Sequence, residues 1–88
     1  MIAIPDKFLL KYDPPKICVV YHFKEHSVKD QYYRDLPLKI EADSEPIDMS
    51  NFLFKNHKFY FDEKIVRKEQ VIKLMKILIE KQNERLRK

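Results

Sequence analysis

The sequence predicts an α+β fold: a small three-stranded antiparallel sheet, then a short helix and a long C-terminal helix packed on the sheet. Two periodicities predict it. Residues 16–24, KICVVYHFK, form a β-branched and aromatic run with a repeat of two. From about Arg67 the apolar spacing lengthens to that of a helix, through Val71, Leu74, Met75, Leu78 and Ile79. Length adds a bound: 88 residues form one domain, expected over 1–88, with the sheet in 7–40 and the helical part in 47–88. A chain this short buries only about 60–65% of the surface it exposes when unfolded, so its core is small.

The first expected strand is KFLLKY, residues 7–12, ending at Asp13, which precedes proline and is pushed out of the helical region. Pro14 and Pro15 then fix an extended turn and restrict the unfolded chain. In the second strand Ile17, Val19, Tyr21 and Phe23 share one face, and Cys18, Val20 and His22 the other. Both faces are apolar near the middle, which places this strand at the centre of the sheet. Residues 25–27 read as a hairpin loop without the Asn-Gly or Asp-Gly of a two-residue turn. The third strand is expected over 28–36, an edge by its polarity, with Pro37 ending regular pairing. Residues 38–46 read as a loop. Asp48 or Ser50 is the expected cap of a short helix through NFLFKN. Residues 57–66 form an aromatic connector. The last helix runs to Lys88, its stripe widened by Ile72 and Ile77, a width suited to packing on a sheet and broader than a coiled-coil seam.

Composition narrows the function classes. Hydrophobic residues make up 44% and charged residues 36% of the chain, a globular balance. The formal charge of +4 mildly favours an acidic partner. Cys18 is the only cysteine, which excludes an internal disulfide and suits a reducing compartment. The opening MIAIPDKFLL lacks the basic start of a signal peptide, and the apolar runs are too short to span a bilayer. With no glycine, neither a phosphate-cradling loop nor a dinucleotide fingerprint can be built. Cys18 and His22 share a strand face, but at about 3.3 Å per residue they stand roughly 13 Å apart, too far for a shared metal or a nucleophile–base pair. Three histidines and one distant cysteine do not have zinc-ligand spacing. The carboxylate groups Asp62 with Glu63, and Glu41, Asp43 and Glu45, read as surface charge. No catalytic residue, cofactor site or metal site is expected.

Two binding classes remain. Tyr32, Tyr33 and Arg34 on a sheet, with lysines nearby, are compatible with a small basic nucleic-acid-binding module. No ribonucleoprotein motif accompanies them, however, and acidic residues are mixed in. A small scaffold rich in Tyr, Phe and Arg better suits a protein-binding module, because those side chains supply most interface hot spots.

Three segments carry a family resemblance. YDPPKICVVY resembles the opening of the conserved domain of the centrosomal protein of 19 kDa family, through Tyr12, Pro14, Pro15, Ile17 and Tyr21. RDLPL is similar to that family's Arg-x-aliphatic-Pro-aliphatic segment, through Arg34, Leu36, Pro37 and Leu38. NHKFYFDEKIVRKEQVIKL resembles its connector and helix start, through His57, Lys58, Tyr60, Asp62, Val66, Gln70, Lys73 and Leu74, with one residue inserted near Lys64. Arg67 stands where the family usually has serine, Phe61 replaces an aliphatic residue, and family members tend to continue into an acidic tail. The resemblance implies a non-enzymatic adaptor of the cytoplasm and cytoskeleton, at the centriole or ciliary basal body. It implies protein partners, a FOP-type centriolar scaffold and the GTP-bound form of a Rab-like small GTPase, with a role in intraflagellar transport entry and cilium assembly. The candidate contact residues are Tyr33, Arg34, His57, Lys58, Tyr60, Lys73 and Lys76.

Overall fold

The computed structural model describes residues 2–26 and 30–86. Strands β1 (Ala3–Tyr12), β2 (Pro15–Phe23) and β3 (Tyr32–Pro37) are followed by helices α1 (Pro46–Asn56) and α2 (Lys68–Leu86). The sheet is antiparallel throughout, in the order β1-β2-β3, so the apolar strand is central as its two-faced composition requires. Register pairs Ile17 with Leu10 and Leu36, and Val19 with Phe8 and Arg34. Side chains alternate in direction along a strand, so Phe8, Leu10, Ile17, Val19, Tyr21 and Leu36 all face one way. Val71, Met75 and Leu78 of α2, with Leu53 and Phe54 of α1, close over that face into a single core.

The elements differ from the expected bounds where a local signal is reinterpreted by its neighbours. β1 begins at Ala3, before Pro5 and Asp6. A proline is tolerated there because β1 is an edge strand, and the register shifts between Pro5 and Lys7 in a bulge that absorbs Asp6. β3 begins at Tyr32, later than expected; Asp30 and Gln31 lie outside the strand, and the expected Val28 and Lys29 fall outside the described residues. Helix α1 begins at Pro46, so neither Asp48 nor Ser50 caps it. Glu45 occupies the N-cap without a side-chain bond, and proline suits the next position because its missing N–H would have no helical partner. Ser50 is buried one turn in and satisfies its hydroxyl by donating to the Pro46 carbonyl at 2.8 Å. The connector is more than a link: Phe61 is buried, stacked on Phe8 at 5.3 Å and edge-on to Phe54 at 5.7 Å. The Asp62 carbonyl and carboxylate then fold residues 62–66 into a turn that buries Val66 and leads into α2. On α2 Val71, Met75, Leu78 and Ile79 of the expected stripe are buried and Leu74 and Ile72 partly so, but Ile77 is exposed.

The turn between β1 and β2 is Asp13 and Pro14, joined by a cis peptide bond, and Pro15 already belongs to β2. Arg85, in the last turn of α2, donates to the Tyr12 carbonyl at 2.8 Å and lies 3.0 Å from the Asp13 carboxylate. The end of the long helix is thereby tied to the proline turn.

The two kinds of contact on α2 should differ sharply in weight. Met75→Ala opens a cavity in the core, and urea unfolding is expected to show a loss of about 2–5 kcal/mol. That is a large share of the roughly 4–13 kcal/mol available to a domain this size. Arg85→Ala removes an exposed tether and is expected to cost less than about 1 kcal/mol.

Candidate protein-binding site

The two faces of the sheet solve different problems. The face away from the helices has no covering element among the described residues, yet Cys18 is only 4% exposed. Side chains of the flanking strands do the covering. Lys11 from β1 and Asp35 from β3 meet beside Cys18, with both carboxylate oxygens 3.1 Å from the ammonium. Burial pushes the Cys18 thiol above its ordinary value, reinforced by its hydrogen bond to Asp35 and by that residue's charge. Asp35 moves the other way, held below the usual carboxylate range by Lys11 and then by the thiol. A thiol held protonated makes a poor nucleophile. Farther along this face His22 Nδ1 lies 2.9 and 3.0 Å from the Asp6 carboxylate oxygens, and Gln31 donates to the same carboxylate at 3.0 Å. Cys18 and His22 therefore have separate partners.

The helix-facing side ends differently. Beyond the core, away from the proline turn, the rings of Tyr21, Phe23, Tyr32, Phe59 and Tyr60 form one connected cluster. Tyr21 is its hub: it lies 5.0 Å from Tyr60, 5.6 Å from Phe23, 5.8 Å from Tyr32 and 6.4 Å from Phe59. Phe23 in turn lies 5.4 Å from Tyr32 and 6.1 Å from Phe59, and Phe59 meets Tyr60 edge-on at 5.0 Å. Strand register sets half of this, since Tyr21 and Tyr32 are directly paired. The connector sets the other half: the His57 carbonyl accepts the Tyr60 and Phe61 amides, and burial of Phe61 in the core turns Phe59 outward.

The cluster reaches solvent. Phe59 is 50% exposed and Tyr32 42% exposed, and Ile2 and Ile65 extend the apolar surface next to Phe59 and Lys58. The Ile2 carbonyl accepts the Lys24 amide at 2.9 Å, which brings that lysine to the same end. Arg34, across from Val19 on the β3 edge, is near enough for its charge to act on the Tyr60 phenol. The result is a patch of fixed rings with charges of both signs at its border, Lys24, Lys58 and Arg34 beside the carboxylates of Asp62 and Glu25.

The sequence-derived candidates divide among several surfaces. Arg34, Lys58 and Tyr60 converge on the aromatic end. Tyr33 points the opposite way, 76% exposed on the outer face of the sheet. His57 terminates α1, donates its amide to the Leu53 carbonyl and sets its ring 5.9 Å from Phe52. Lys73 and Lys76 lie exposed along α2, outside the ring cluster. Tyr21, Phe23 and Phe59 were not among the candidates, and Tyr32 entered only through the nucleic-acid alternative. Their signal was present in the rings of YHF and KFYF, but only the hairpin register and the returning connector join the two. Among the described residues no group of His, Cys, Asp and Glu is placed to hold a metal ion, and no helix is long and apolar enough to cross a membrane.

Tyr60 reports on this assembly. Burial raises its phenol above the ordinary 10.0, and the adjoining Tyr21 hydroxyl adds to the rise. Ultraviolet titration is expected to show a phenolate step later than 10.0 that Tyr60→Phe removes. The unfolded chain would lose that proton first, so stability falls as pH rises past 10.0, and falls less in the variant. Comparison of the chain with models of known families, with curated proteins and with solved structures finds no match.

Proposed function

We propose that the chain is a non-catalytic protein-binding module whose docking surface is the aromatic end of the sheet. The carrying observation is that Phe59 and Tyr32 are half-exposed while locked among three other rings. A ring held by its neighbours offers a large apolar contact with little entropy left to lose, which is how hot spots dominate an interface. The border carries Lys24, Lys58 and Arg34 together with Asp62 and Glu25, a mixed rim that leaves the rings as the main source of contact energy.

The family resemblance extends the proposal to particular partners: the FOP-type centriolar scaffold and the GTP-bound Rab-like GTPase, in an adaptor at the centriole or ciliary base that promotes intraflagellar transport entry and cilium assembly. That extension rests on the three resembling segments. It is supported by where they meet, since Tyr21, Arg34, Lys58 and Tyr60 each come from one of them and gather at the same end.

A pull-down of the Rab-like GTPase in its GTP and GDP states, alongside the scaffold, tests both levels. Capture of the GTP form and of the scaffold is expected, and Phe59→Ala is expected to weaken capture at this surface by about tenfold or more while leaving the circular dichroism unchanged. Failure to bind either partner removes the centriolar reading. Titration with single-stranded RNA discriminates the nucleic-acid alternative, which requires affinity that falls steeply with salt.

A further inference from the structure

A second surface differs from the aromatic end in place and in its excess of carboxylates. The loop after β3 and the outer side of α1 enclose an open cleft of about 330 Å³. Leu38, Met49 and Phe52 supply its apolar lining, and Phe52 is 50% exposed. Asp43, Glu45 and Asp48 stand around it. The single cation on the lining, Lys39, has its ammonium 3.4 Å from the Glu41 carboxylate. Across the whole chain 18 basic residues outnumber 14 acidic ones; at this cleft the balance is reversed, with three carboxylates to one lysine.

Geometry explains why those carboxylates stay together in spite of their repulsion. Ser44 accepts the Glu41 amide at 2.7 Å, and the Glu41 carbonyl accepts the Ser44 amide at 3.1 Å, which curls the acidic loop against the start of α1. Asp48 lies in the first helical turn, where the helix dipole stabilises negative charge. Glu45, at the N-cap, makes no side-chain bond with the helix. The carboxylates therefore remain available around an apolar lining.

We propose that this cleft docks a basic amphipathic helix of a partner protein. Its apolar side chains would lie on Leu38, Met49 and Phe52, and its lysines or arginines against Asp43, Glu45 and Asp48. Charge complementarity selects the basic partner, since an acidic segment would meet uncompensated repulsion. The borders select a helix. They are a loop and a helix flank, which offer no strand ladder to an extended peptide, whereas a helix satisfies its own backbone and needs only side-chain contacts.

The test is a titration of the full isotope-labelled chain, followed by amide NMR shifts, with a synthetic peptide of leucine and lysine at helical spacing. A leucine–glutamate peptide of the same length serves as the comparison. The lysine peptide is expected to shift amides within residues 38–52 and to bind more weakly as salt rises. Phe52→Ala and the pair Asp43→Lys with Glu45→Lys are each expected to reduce affinity about tenfold. The pair Glu41→Lys with Asp43→Lys lies wholly in the loop before α1 and is expected to weaken binding while leaving helicity unchanged, which separates lost docking from a damaged helix. Equal binding of the glutamate peptide, shifts centred on the aromatic end or the outer sheet face, or no shifts at all would overturn the proposal.

Discussion

The structure depends on one cluster: the stripe Val71, Met75 and Leu78 of α2 buried together with Ile17, Val19 and Leu36 of the sheet. A sheet with an apolar face must bury that face against another element, and a lone amphipathic helix draws most of its stability from such packing. Each supplies the apolar surface the other lacks. Because this covers one side of the sheet, the opposite side must shield itself, which it does with the Lys11–Asp35 pair beside Cys18. Because the core is also short, the sheet outruns it at the end away from the proline turn. The rings of Tyr21, Phe23 and Tyr32 project there, where the connector meets them with Phe59 and Tyr60. The candidate binding surface is thus the continuation of the core into solvent.

Much of this was legible in local pattern. The repeat of two in ICVVYHF and the helical repeat from Val71 to Ile79 mark the two elements that build the core, and both repeats respond to burial on one face. Local signals failed where position in the sheet reverses their meaning. The first strand was expected from Lys7, yet β1 extends back to Ala3, because an edge strand tolerates Pro5 and a bulge takes up Asp6. Asp48 and Ser50 read as helix caps, but Pro46 starts α1 sooner and leaves Ser50 inside it. The candidate surface was legible only in part. Arg34, Lys58 and Tyr60 were named on segments that carry the family resemblance, whereas the place of Tyr21 as a hub depends on pairing across strands and on a connector far away in sequence. No window of consecutive residues contains that information. The double proline gains a definite setting: Asp13 and Pro14 make the turn, Pro15 opens the central strand, and Arg85 ties that turn to the distant end of α2.

Two exposed surfaces of the chain differ in character. The aromatic end presents rigid rings bordered by charges of both signs; the cleft beside α1 presents an apolar lining bordered by carboxylates. The cysteine is held as a protonated thiol, and the histidine on the outer face is occupied by Asp6.

Hydrogen exchange of the chain with and without its captured partner tests the central claim most directly. If the aromatic end is the docking surface, amide protection on binding concentrates at residues 21–24, 32–34 and 58–65, with little change along the exposed side of α2. Protection centred on the Lys73 and Lys76 stretch of α2, with the aromatic end exchanging as it does in the free protein, would contradict it.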